Sequence, residues 1–454
     1  MPAPHSPSPR LFGTDGIRGQ AGVEPLTEAS VTRIGRAIAR VLTRARGLAH
    51  GNVLLGHDGR RSGPWIEACL GRGMAAERLG SVSAGLITTP GLALETRAGN
   101  YDLGIMVSAS HNPAADNGIK VFDRDGSKLP DELELAIEAE LAQGFEPAPP
   151  AAPPALDAGV AQRYLEHLLA AVPGLDLSGL SLVLDCANGG SSQVGPRLFG
   201  RLGARTTALF AQPDGANINA GCGSTHPQAL QAAVMAQGAD LGLALDGDGD
   251  RCLLVDERGR LVDGDALLAL LARHLDARAE LPGKRVVATV MSNQGLKRSL
   301  SEAGLGMETV GVGDRRVVEA LRSGGLGLGG EQSGHIVFGA RHHYIGDGLY
   351  TALRVLEALR ASGGSLSRLA AVFQAFPQVL VNVPVRSKPE LSGLPGVGQA
   401  VAELEARLRG EGRVFLRYSG TENLARVMVE GPEQGLIQAG AERIAERIRA
   451  AIGA

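Results

Sequence analysis

The sequence lacks a cysteine framework and any long apolar run. Its four cysteines, at positions 69, 186, 222 and 252, lie far apart and form no CxxC pair, which favours a reduced, cytoplasmic protein. No stretch reaches the roughly 18 apolar residues that a membrane span needs. The N-terminus, MPAPHSPSPR, lacks the apolar segment of a signal peptide. We therefore expect no membrane partner and a disordered tail over residues 1–10.

A patch of one charge sign is also missing. The chain has 45 Lys and Arg against 48 Asp and Glu, which gives a net charge of -3 at pH 7, and both signs are spread along its length. Without a basic stripe, neither nucleic acid nor an anionic membrane surface is an expected partner. We expect the partners to be small molecules.

Strand-like apolar runs alternate with helix-period runs along most of the chain. NVLLGHD is typical of the former and ASVTRIGRAIARVL of the latter, and this alternation predicts buried, mostly parallel sheets. At 454 residues the chain is too long for one core. The proline-dense segment 146–159 predicts the first boundary. The predicted α/β domains cover residues 11–155, 156–258 and 259–375, and a smaller α+β domain covers 376–454.

One Gly-rich loop carries three carboxylates. In LALDGDGDR, Asp246, Asp248 and Asp250 stand two residues apart; on an extended chain they share one face about 6.6 Å apart, where each neighbouring pair repels by roughly 2.5 kcal/mol. Gly247 and Gly249 let the backbone curl around one point, and an all-oxygen ligand set suits Mg²⁺. An EF-hand is a weaker alternative, because Arg251 stands where the turn needs glycine. A solvated acidic turn also stays open.

A second loop, MVSASHNP, places Ser110 beside His111. Adjacent residues on an extended segment point in opposite directions, and no GxSxG motif surrounds the serine, so Ser-His hydrolysis is disfavoured. A simple turn ahead of the proline is one interpretation. The other is a hydroxyl that carries a phosphoryl group of about -1.5 to -2 charges, for which Lys120, Arg18 and Arg251 could supply the positive charge.

Two further loops offer polar groups. GGEQSGH presents Glu331, Ser333 and His335, a pattern that suits sugar hydroxyls, although a polar turn is an equal alternative. RYSGTENLAR combines small hydroxyl residues around glycine with two arginines, which suits a phosphate, although a plain turn between strands stays open. The residues of this phosphate-binding prediction are Arg417, Ser419, Gly420, Thr421 and Arg426.

Six segments of the chain together resemble the phosphohexomutase superfamily, in the order that the family shows. They are FGTDGIRG, SASHNPAADNGIK, DGDGDR, GVGDR, GEQSGH and RYSGTENLARVMVEG. Asn423 is a departure, since many members have proline after the SGTE turn. The resemblance implies three similar α/β domains with mixed or parallel sheets plus a smaller C-terminal α+β domain, arranged around a central cleft.

The resemblance also implies roles for the loop residues. Ser110 becomes the phosphoserine, and one of its phosphate oxygens joins Asp246, Asp248 and Asp250 in holding one Mg²⁺ per active site. Lys120 and His111 are the candidates for proton transfer, with Arg18 stabilising charge and Arg251 in support. The implied sugar contacts are Gly313, Asp314, Arg315, Glu331 and Ser333. The five residues of the RYSGTENLAR prediction hold the phosphate that is not reacting.

The implied activity is transfer of a phosphoryl group within a phosphosugar, through a bisphosphorylated intermediate. GTDGIRG and GEQSGH resemble the glucosamine branch of the family, which implies interconversion of glucosamine 6-phosphate and glucosamine 1-phosphate. Mannose or glucose phosphates on the same scaffold stay open, as does a non-enzymatic Ca²⁺-binding or sugar-binding module. The expected partner is a small phosphosugar, and the chain is expected to be a monomer or homodimer.

Overall fold

The chain forms two compact units in a computed structural model that describes residues 11–13, 15–47, 50–419 and 423–454. The first unit comprises the described residues up to Val290 together with Glu308–Ala370, and the second comprises Met291–Met307 and Ala371–Ala454. The predicted tail, residues 1–10, lies outside the described residues. The domain boundaries proposed from the sequence stay predictions.

The first sheet of the larger unit carries the serine loop. Its strands are β1 (Ile17–Gln20), β2 (Asn52–His57), β3 (Gly80–Leu86), β4 (Leu103–Val107), β5 (Asp116–Asp123) and β6 (Ala155–Leu156). They lie in the order β1-β5-β4-β2-β3-β6. Strands β2, β3, β4 and β6 are parallel to one another. Strand β5 is antiparallel to both of its neighbours, β4 and β1. The sheet is therefore mixed, and the proline-dense segment ends in an edge strand.

Helices cover this sheet, and the caps and the apolar face of the first of them are visible in the sequence. They are α1 (Glu28–Arg46), α2 (Gly63–Ala76), α3 (Thr89–Ala98) and α4 (Asp131–Ala142). The Thr27 side chain accepts from the Ser30 N–H and starts α1, and Gly47 ends it with a left-handed φ of 63°, as helix caps commonly do. The face of α1 that carries Val31, Ile34 and Ile38 is buried in the core.

The second sheet carries the carboxylate loop. Its strands are β7 (Ser181–Asp185), β8 (Arg205–Leu209), β9 (Leu241–Leu245), β10 (Cys252–Asp256) and β11 (Leu261–Val262), in the order β11-β10-β9-β7-β8. The helices of this region are α5 (Val160–Ala170), α6 (Val194–Arg201) and α7 (Gln228–Gln237). Strand β7 is parallel to β8 and β9, and β10 turns back antiparallel to β9. The loop between β9 and β10 therefore lies at the carboxyl edge of β9.

The third sheet carries the predicted sugar loop. Its strands are β12 (Arg285–Thr289), β13 (Gly306–Val310), β14 (Gly329–Gly330) and β15 (Ile336–Val337), in the order β13-β12-β14-β15. The helices along this part of the chain are α8 (Gly264–Ala277), α9 (Gln294–Glu302), α10 (Asp314–Gly324), α11 (Gly348–Ser362) and α12 (Leu366–Ala370), of which α9 belongs to the second unit. Strand β14 is parallel to β12 and antiparallel to β15. The GEQSGH loop joins β14 to β15.

The second unit has an antiparallel sheet. Its strands are β16 (Gln378–Pro384), β17 (Arg413–Tyr418) and β18 (Leu424–Glu430), in the order β16-β18-β17, and its helices are α13 (Val397–Leu408) and α14 (Gln434–Ile452) together with α9. Apolar residues of α13, α14 and the sheet form one core. An antiparallel sheet packed against helices agrees with the smaller C-terminal α+β domain that the sequence predicted.

The four cysteines are all buried and none is in a disulfide. Within the part of the chain that the structure describes, helices long and apolar enough to cross a bilayer are absent.

Candidate active site

Ser110 lies just after β4, where its backbone makes a tight turn. It is 2% exposed and has a φ of 52°, a left-handed conformation that is uncommon for a residue with a side chain. Its N–H donates to Ser108 Oγ at 2.8 Å. Its hydroxyl donates to Asp246 Oδ2 at 2.8 Å. The tertiary fold thus brings the serine loop to the carboxylate loop.

The three aspartates converge, as the spacing predicted. One oxygen from each of Asp246, Asp248 and Asp250 lies within 4.8 Å of the others, and all three side chains are buried. Both glycines between them are required by close packing. A Cβ at Gly247 would meet the Ser110 carbonyl oxygen at 2.7 Å, and Gly249 has a φ of 71° with Ser191 Oγ 2.7 Å from its Cβ position. Strands β9 and β10 flank the loop, which excludes the EF-hand.

Lys120 supplies positive charge to this cluster from β5. Its Nζ lies 2.8 Å from Asp248 Oδ2, 2.9 Å from Asp15 Oδ2 and 3.7 Å from Asp250 Oδ2, and its side chain is 3% exposed. Burial alone lowers the pKa of Lys120, but the three carboxylates raise it well above its usual value. The surrounding carboxylates therefore favour the charged form of this side chain.

The pKa values of the other charged groups in the cluster are shifted in different directions. Burial, together with the charges of Asp250 and Asp248, raises the pKa of Asp246 well above its usual range. For Asp250 burial acts in the same direction, yet Lys120 and His335 hold its pKa below the usual value. Burial lowers the pKa of His335, but Asp250, 3.6 Å away, outweighs it and raises that pKa to about 9.

The cluster fits a divalent cation. Among the described residues, Asp248 Oδ1 and Asp250 Oδ1 are buried without a hydrogen-bond partner, which is costly unless another group satisfies them. The atoms that converge here are all carboxylate oxygens, which are the hard ligands that Mg²⁺ prefers. Arg251 borders the cluster, with its Nε 4.0 Å from Asp246 and 3.9 Å from Asp250.

The other predicted catalytic groups, His111 and Arg18, line the same cavity as Ser110. His111 Nδ1 is 3.4 Å from Ser110 Oγ, and burial, followed by the charges of Arg251 and Arg18, lowers the pKa of His111. Arg18 donates to the Ala109 carbonyl at 3.5 Å and forms an ion pair with Asp15.

A cavity of about 460 Å³ joins several of these groups to the predicted sugar loop. The predicted residues that line it are Arg18, Ser110, His111, Asp250, Arg251, Gly313, Asp314 and Glu331, together with His335. This volume suits a hexose phosphate, since ligand pockets commonly span about 300–1,000 Å³.

The predicted sugar contacts divide into two groups. Glu331 lines the cavity, and its Oε1 accepts from the Gly313 N–H at 3.2 Å. Asp314 also lines it while pairing with Lys128 at 2.6 Å. By contrast, Arg315 turns to Glu134 at 3.0 Å and lines a neighbouring cavity. Ser333 does not line the 460 Å³ cavity, and its Oγ is buried without a hydrogen-bond partner among the described residues.

Sequence reasoning missed several charged residues of the site. Asp15, in FGTDGIRG, contacts Arg18, Lys120 and Lys128, and Asp58 and Arg60 form a fully buried ion pair behind the serine loop. Asp58 and Arg60 stand in HDGR, directly after β2. Ligands of open α/β sheets bind beyond the carboxyl ends of the strands, so polar residues directly after the apolar run NVLL are a signal that could have identified this loop.

The predicted phosphate loop belongs to the second unit. Arg417 and Arg426 are directly opposite each other on β17 and β18, so their side chains share one face of the sheet. The Ser419 carbonyl accepts from Lys388 Nζ at 3.0 Å, which adds a cation that sequence reasoning missed. Asn423 uses its carbonyl to accept from the Val385 N–H at 2.9 Å. Gly420 and Thr421 lie outside the described residues.

Comparison with known proteins extends these observations to the whole chain. Four family models of phosphoglucomutase/phosphomannomutase match it: α/β/α domain I over residues 9–147, domain II over 162–259, domain III over 263–376 and the C-terminal domain over 380–447. A phosphoglucosamine mutase of Anaeromyxobacter dehalogenans (strain 2CP-C) is 46% identical over 98% of this chain and 99% of its own. Another, of Symbiobacterium thermophilum, is 47% identical over 97% and 99%.

A solved structure shows the same fold. A phosphoglucomutase/phosphomannomutase family protein from Burkholderia thailandensis superposes with a TM-score of 0.79 at 26% identity, covering 98% of both chains.

Proposed function

The chain belongs to the phosphoglucomutase/phosphomannomutase family, and from this premise we propose that it interconverts glucosamine 6-phosphate and glucosamine 1-phosphate. It is a phosphosugar mutase, an isomerase, as its near full-length relatives are. The substrate assignment draws on their name, phosphoglucosamine mutase. The substrate is a small phosphosugar, and the working compartment is the cytoplasm.

The observation that carries the mechanism is the 2.8 Å hydrogen bond from Ser110 Oγ to Asp246 Oδ2. The Ser110 hydroxyl, to which we assign the phosphoryl group, lies against the carboxylate cluster, and Ser110 lines the 460 Å³ cavity. In the proposed cycle, phosphorylated Ser110 gives its phosphoryl group to the free hydroxyl of the substrate. The bond from Ser110 Oγ to phosphorus breaks and a new bond from phosphorus to the sugar oxygen forms. The sugar hydroxyl gives its proton to a base, and Ser110 Oγ takes a proton from an acid, so that the free serine hydroxyl is restored.

The resulting sugar bisphosphate turns end for end, and its other phosphoryl group returns to Ser110 Oγ. The residues that we assign to proton transfer are Lys120 and His111, of which His111 lies 3.4 Å from Ser110 Oγ. Arg18 and Arg251 offset negative charge on the phosphoryl group. Such a reaction depends mainly on positioning and charge stabilisation.

Asp246, Asp248 and Asp250 would hold Mg²⁺ together with a phosphoserine oxygen. When bound, the ion offsets the negative charge that builds up on the transferring phosphoryl group. Glu331 is assigned to sugar hydroxyls, with Ser333, Gly313, Asp314 and Arg315 in the same predicted set. The opposed Arg417 and Arg426, with Ser419, Gly420 and Thr421, are assigned to the phosphate that is not reacting.

The test compares turnover of glucosamine 6-phosphate, glucose 6-phosphate and mannose 6-phosphate by the same preparation, with peptide mass analysis of Ser110. We expect one phosphate on Ser110 and the highest kcat/KM for the glucosamine substrate. A preference for mannose or glucose phosphate would replace the substrate while keeping the mechanism. Tight Ca²⁺ binding with no mutase activity and no phosphate on Ser110 would refute both the substrate assignment and the mechanism.

A further inference from the structure

One buried guanidinium holds the loop that carries Ser110. Arg60 follows β2, is 0% exposed, and points its donors into the serine loop rather than toward the cavity. Its Nη atoms donate to four backbone carbonyls: Ser110 at 3.0 Å, Asn112 at 2.8 Å, Asp116 at 2.8 Å and Pro113. Because guanidinium donors form a rigid planar fork, these bonds fix the path of the loop, not only its charge.

A second chain of hydrogen bonds reaches the same loop from behind. Arg60 Nε donates to Asp58 Oδ2 at 2.9 Å, and that oxygen also accepts from Ser108 Oγ at 2.7 Å. The Ser108 hydroxyl in turn accepts from the Ser110 N–H at 2.8 Å. Arg60 therefore fixes the Ser110 carbonyl directly and the Ser110 amide through two intermediates.

The backbone of Ser110 needs such support. A serine with a φ of 52° adopts a conformation that side chains avoid, and it persists where the surrounding structure over-determines it. With the N–H and the carbonyl of Ser110 both held, its side chain is directed to Asp246, whose Oδ2 lies 2.8 Å from Ser110 Oγ. Loss of the support would let the loop relax and move the hydroxyl away.

Asn219 reinforces the arrangement from the side of the carboxylate loop. Its Nδ2 donates to two of the carbonyls that Arg60 holds, those of Ser110 at 2.9 Å and Asn112 at 3.1 Å. The same amide lies 2.8 Å from the position of a Cβ on Gly247. Asn219 thus packs between the serine loop and the loop that carries the aspartates.

We propose that Arg60 is a positioning residue for phosphoryl transfer, which holds Ser110 Oγ in line with the carboxylate cluster without touching the substrate. Asn219 assists it at the same carbonyls. This inference rests on the proposed function, since it assigns Arg60 a part in the transfer from Ser110. A role in folding alone is the competing explanation, so the test must separate positioning from stability.

The test compares Arg60→Lys with Arg354→Lys. Lysine keeps the charge that Asp58 faces but cannot reproduce the planar fork. Arg354 is a matched control, because it is 2% exposed, belongs to the same compact unit, and pairs with Glu280 at 3.1 Å and Glu357 at 2.9 Å. Thermal unfolding, steady-state kinetics, single-turnover transfer from the phosphorylated enzyme and the ³¹P resonance of the phosphoserine are measured for both.

We expect Arg60→Lys to lower kcat and the single-turnover rate by about 100-fold, because a misplacement of about 1 Å has that effect. KM should stay within about threefold, since Arg60 does not line the cavity, and the ³¹P resonance should shift. Arg354→Lys should change only the unfolding midpoint. A folded Arg60→Lys enzyme with wild-type kcat, or with a loss no larger than that of Arg354→Lys, would overturn the proposal.

Asn219→Ala provides a second route if Arg60→Lys does not fold. It removes two hydrogen bonds to the loop and leaves the Arg60–Asp58 pair intact, so we expect a smaller loss of kcat in the same direction with KM unchanged. Unchanged kcat in that variant would contradict the inference. If the wild-type protein itself carries no phosphate on Ser110 and shows no turnover, the proposed function fails instead.

Discussion

Ser110 Oγ donates to Asp246 Oδ2 at 2.8 Å, although the two residues are 136 positions apart in the chain. This contact joins the end of β4 in the first sheet to the end of β9 in the second. It links the Ser110 hydroxyl, which we propose carries the phosphoryl group, to the carboxylates that we propose hold the cation.

Removal of the Ser110 hydroxyl should abolish turnover. We expect Ser110→Ala to lower kcat by at least about 10³-fold, as loss of a covalent nucleophile does, and to abolish the phosphorylated form of the enzyme in intact mass analysis. Ser301→Ala, at an exposed position of α9, is the control and should behave as wild type. Near-normal turnover of Ser110→Ala would rule out the phosphoserine mechanism.

Chelation of divalent cations should stop the reaction reversibly. Treatment with EDTA is expected to remove most activity and Mg²⁺ to restore it, because Asp248 Oδ1 and Asp250 Oδ1 are buried without a hydrogen-bond partner among the described residues. Asp248→Asn should raise the Mg²⁺ concentration for half-maximal activity at least about tenfold. Asp256→Asn is the control, since Asp256 is equally buried but pairs with Arg260 outside the cluster. Equal metal dependence of the two variants would contradict the assignment.

Ser333 tests the predicted sugar contacts at the member that does not line the 460 Å³ cavity. Its Oγ has no hydrogen-bond partner among the described residues, and we assign it to a sugar hydroxyl. Loss of one hydrogen bond to substrate corresponds to about 1 kcal/mol, so we expect Ser333→Ala to lower kcat/KM by about 3- to 10-fold. Gln332→Ala, at the exposed neighbouring position, should leave kcat/KM unchanged. Identical kinetics of Ser333→Ala and wild type would remove Ser333 from the site.

A buried carboxyl outside the site should make stability depend on pH. Burial raises the pKa of Glu67 from its usual value near 4.5 to about 7, while Ser83 Oγ donates to Glu67 Oε2 at 2.6 Å. The folded state thus keeps the proton over a range in which the unfolded chain has lost it. This contribution is fully present below pH 4.5 and is lost as the pH rises to about 7.

Glu67→Gln should therefore flatten the fall in stability between pH 4.5 and 7, with an effect of up to about 3 kcal/mol. The thermal unfolding midpoint as a function of pH is the measurement. Glu302→Gln, at an exposed position, should leave the pH profile as it is in wild type. A Glu67→Gln profile parallel to that of wild type would show that Glu67 ionises normally in the folded protein.

Local pattern was sufficient for most elements. The periodicity of ASVTRIGRAIARVL predicted α1, and the apolar runs before each polar loop predicted β2, β4 and β9. It was less informative for β5, because DNGIKVFD has neither clear alternation nor a continuous apolar run. The alternation predicted mostly parallel sheets. The first sheet is mixed instead, because β5 returns antiparallel to β4.

The sequence by itself determined the chemistry of the loops: alternate aspartates separated by glycines, a serine in a turn after an apolar strand, and the family to which these segments belong. These features depend on neighbouring residues, and so local spacing reveals them. Only the tertiary structure decided which groups meet, including Lys120 with Asp15 and Asp248 and Arg60 with the carbonyls of the serine loop. Such contacts arise from the packing of strands and loops far apart in the chain, on which local periodicity carries no information.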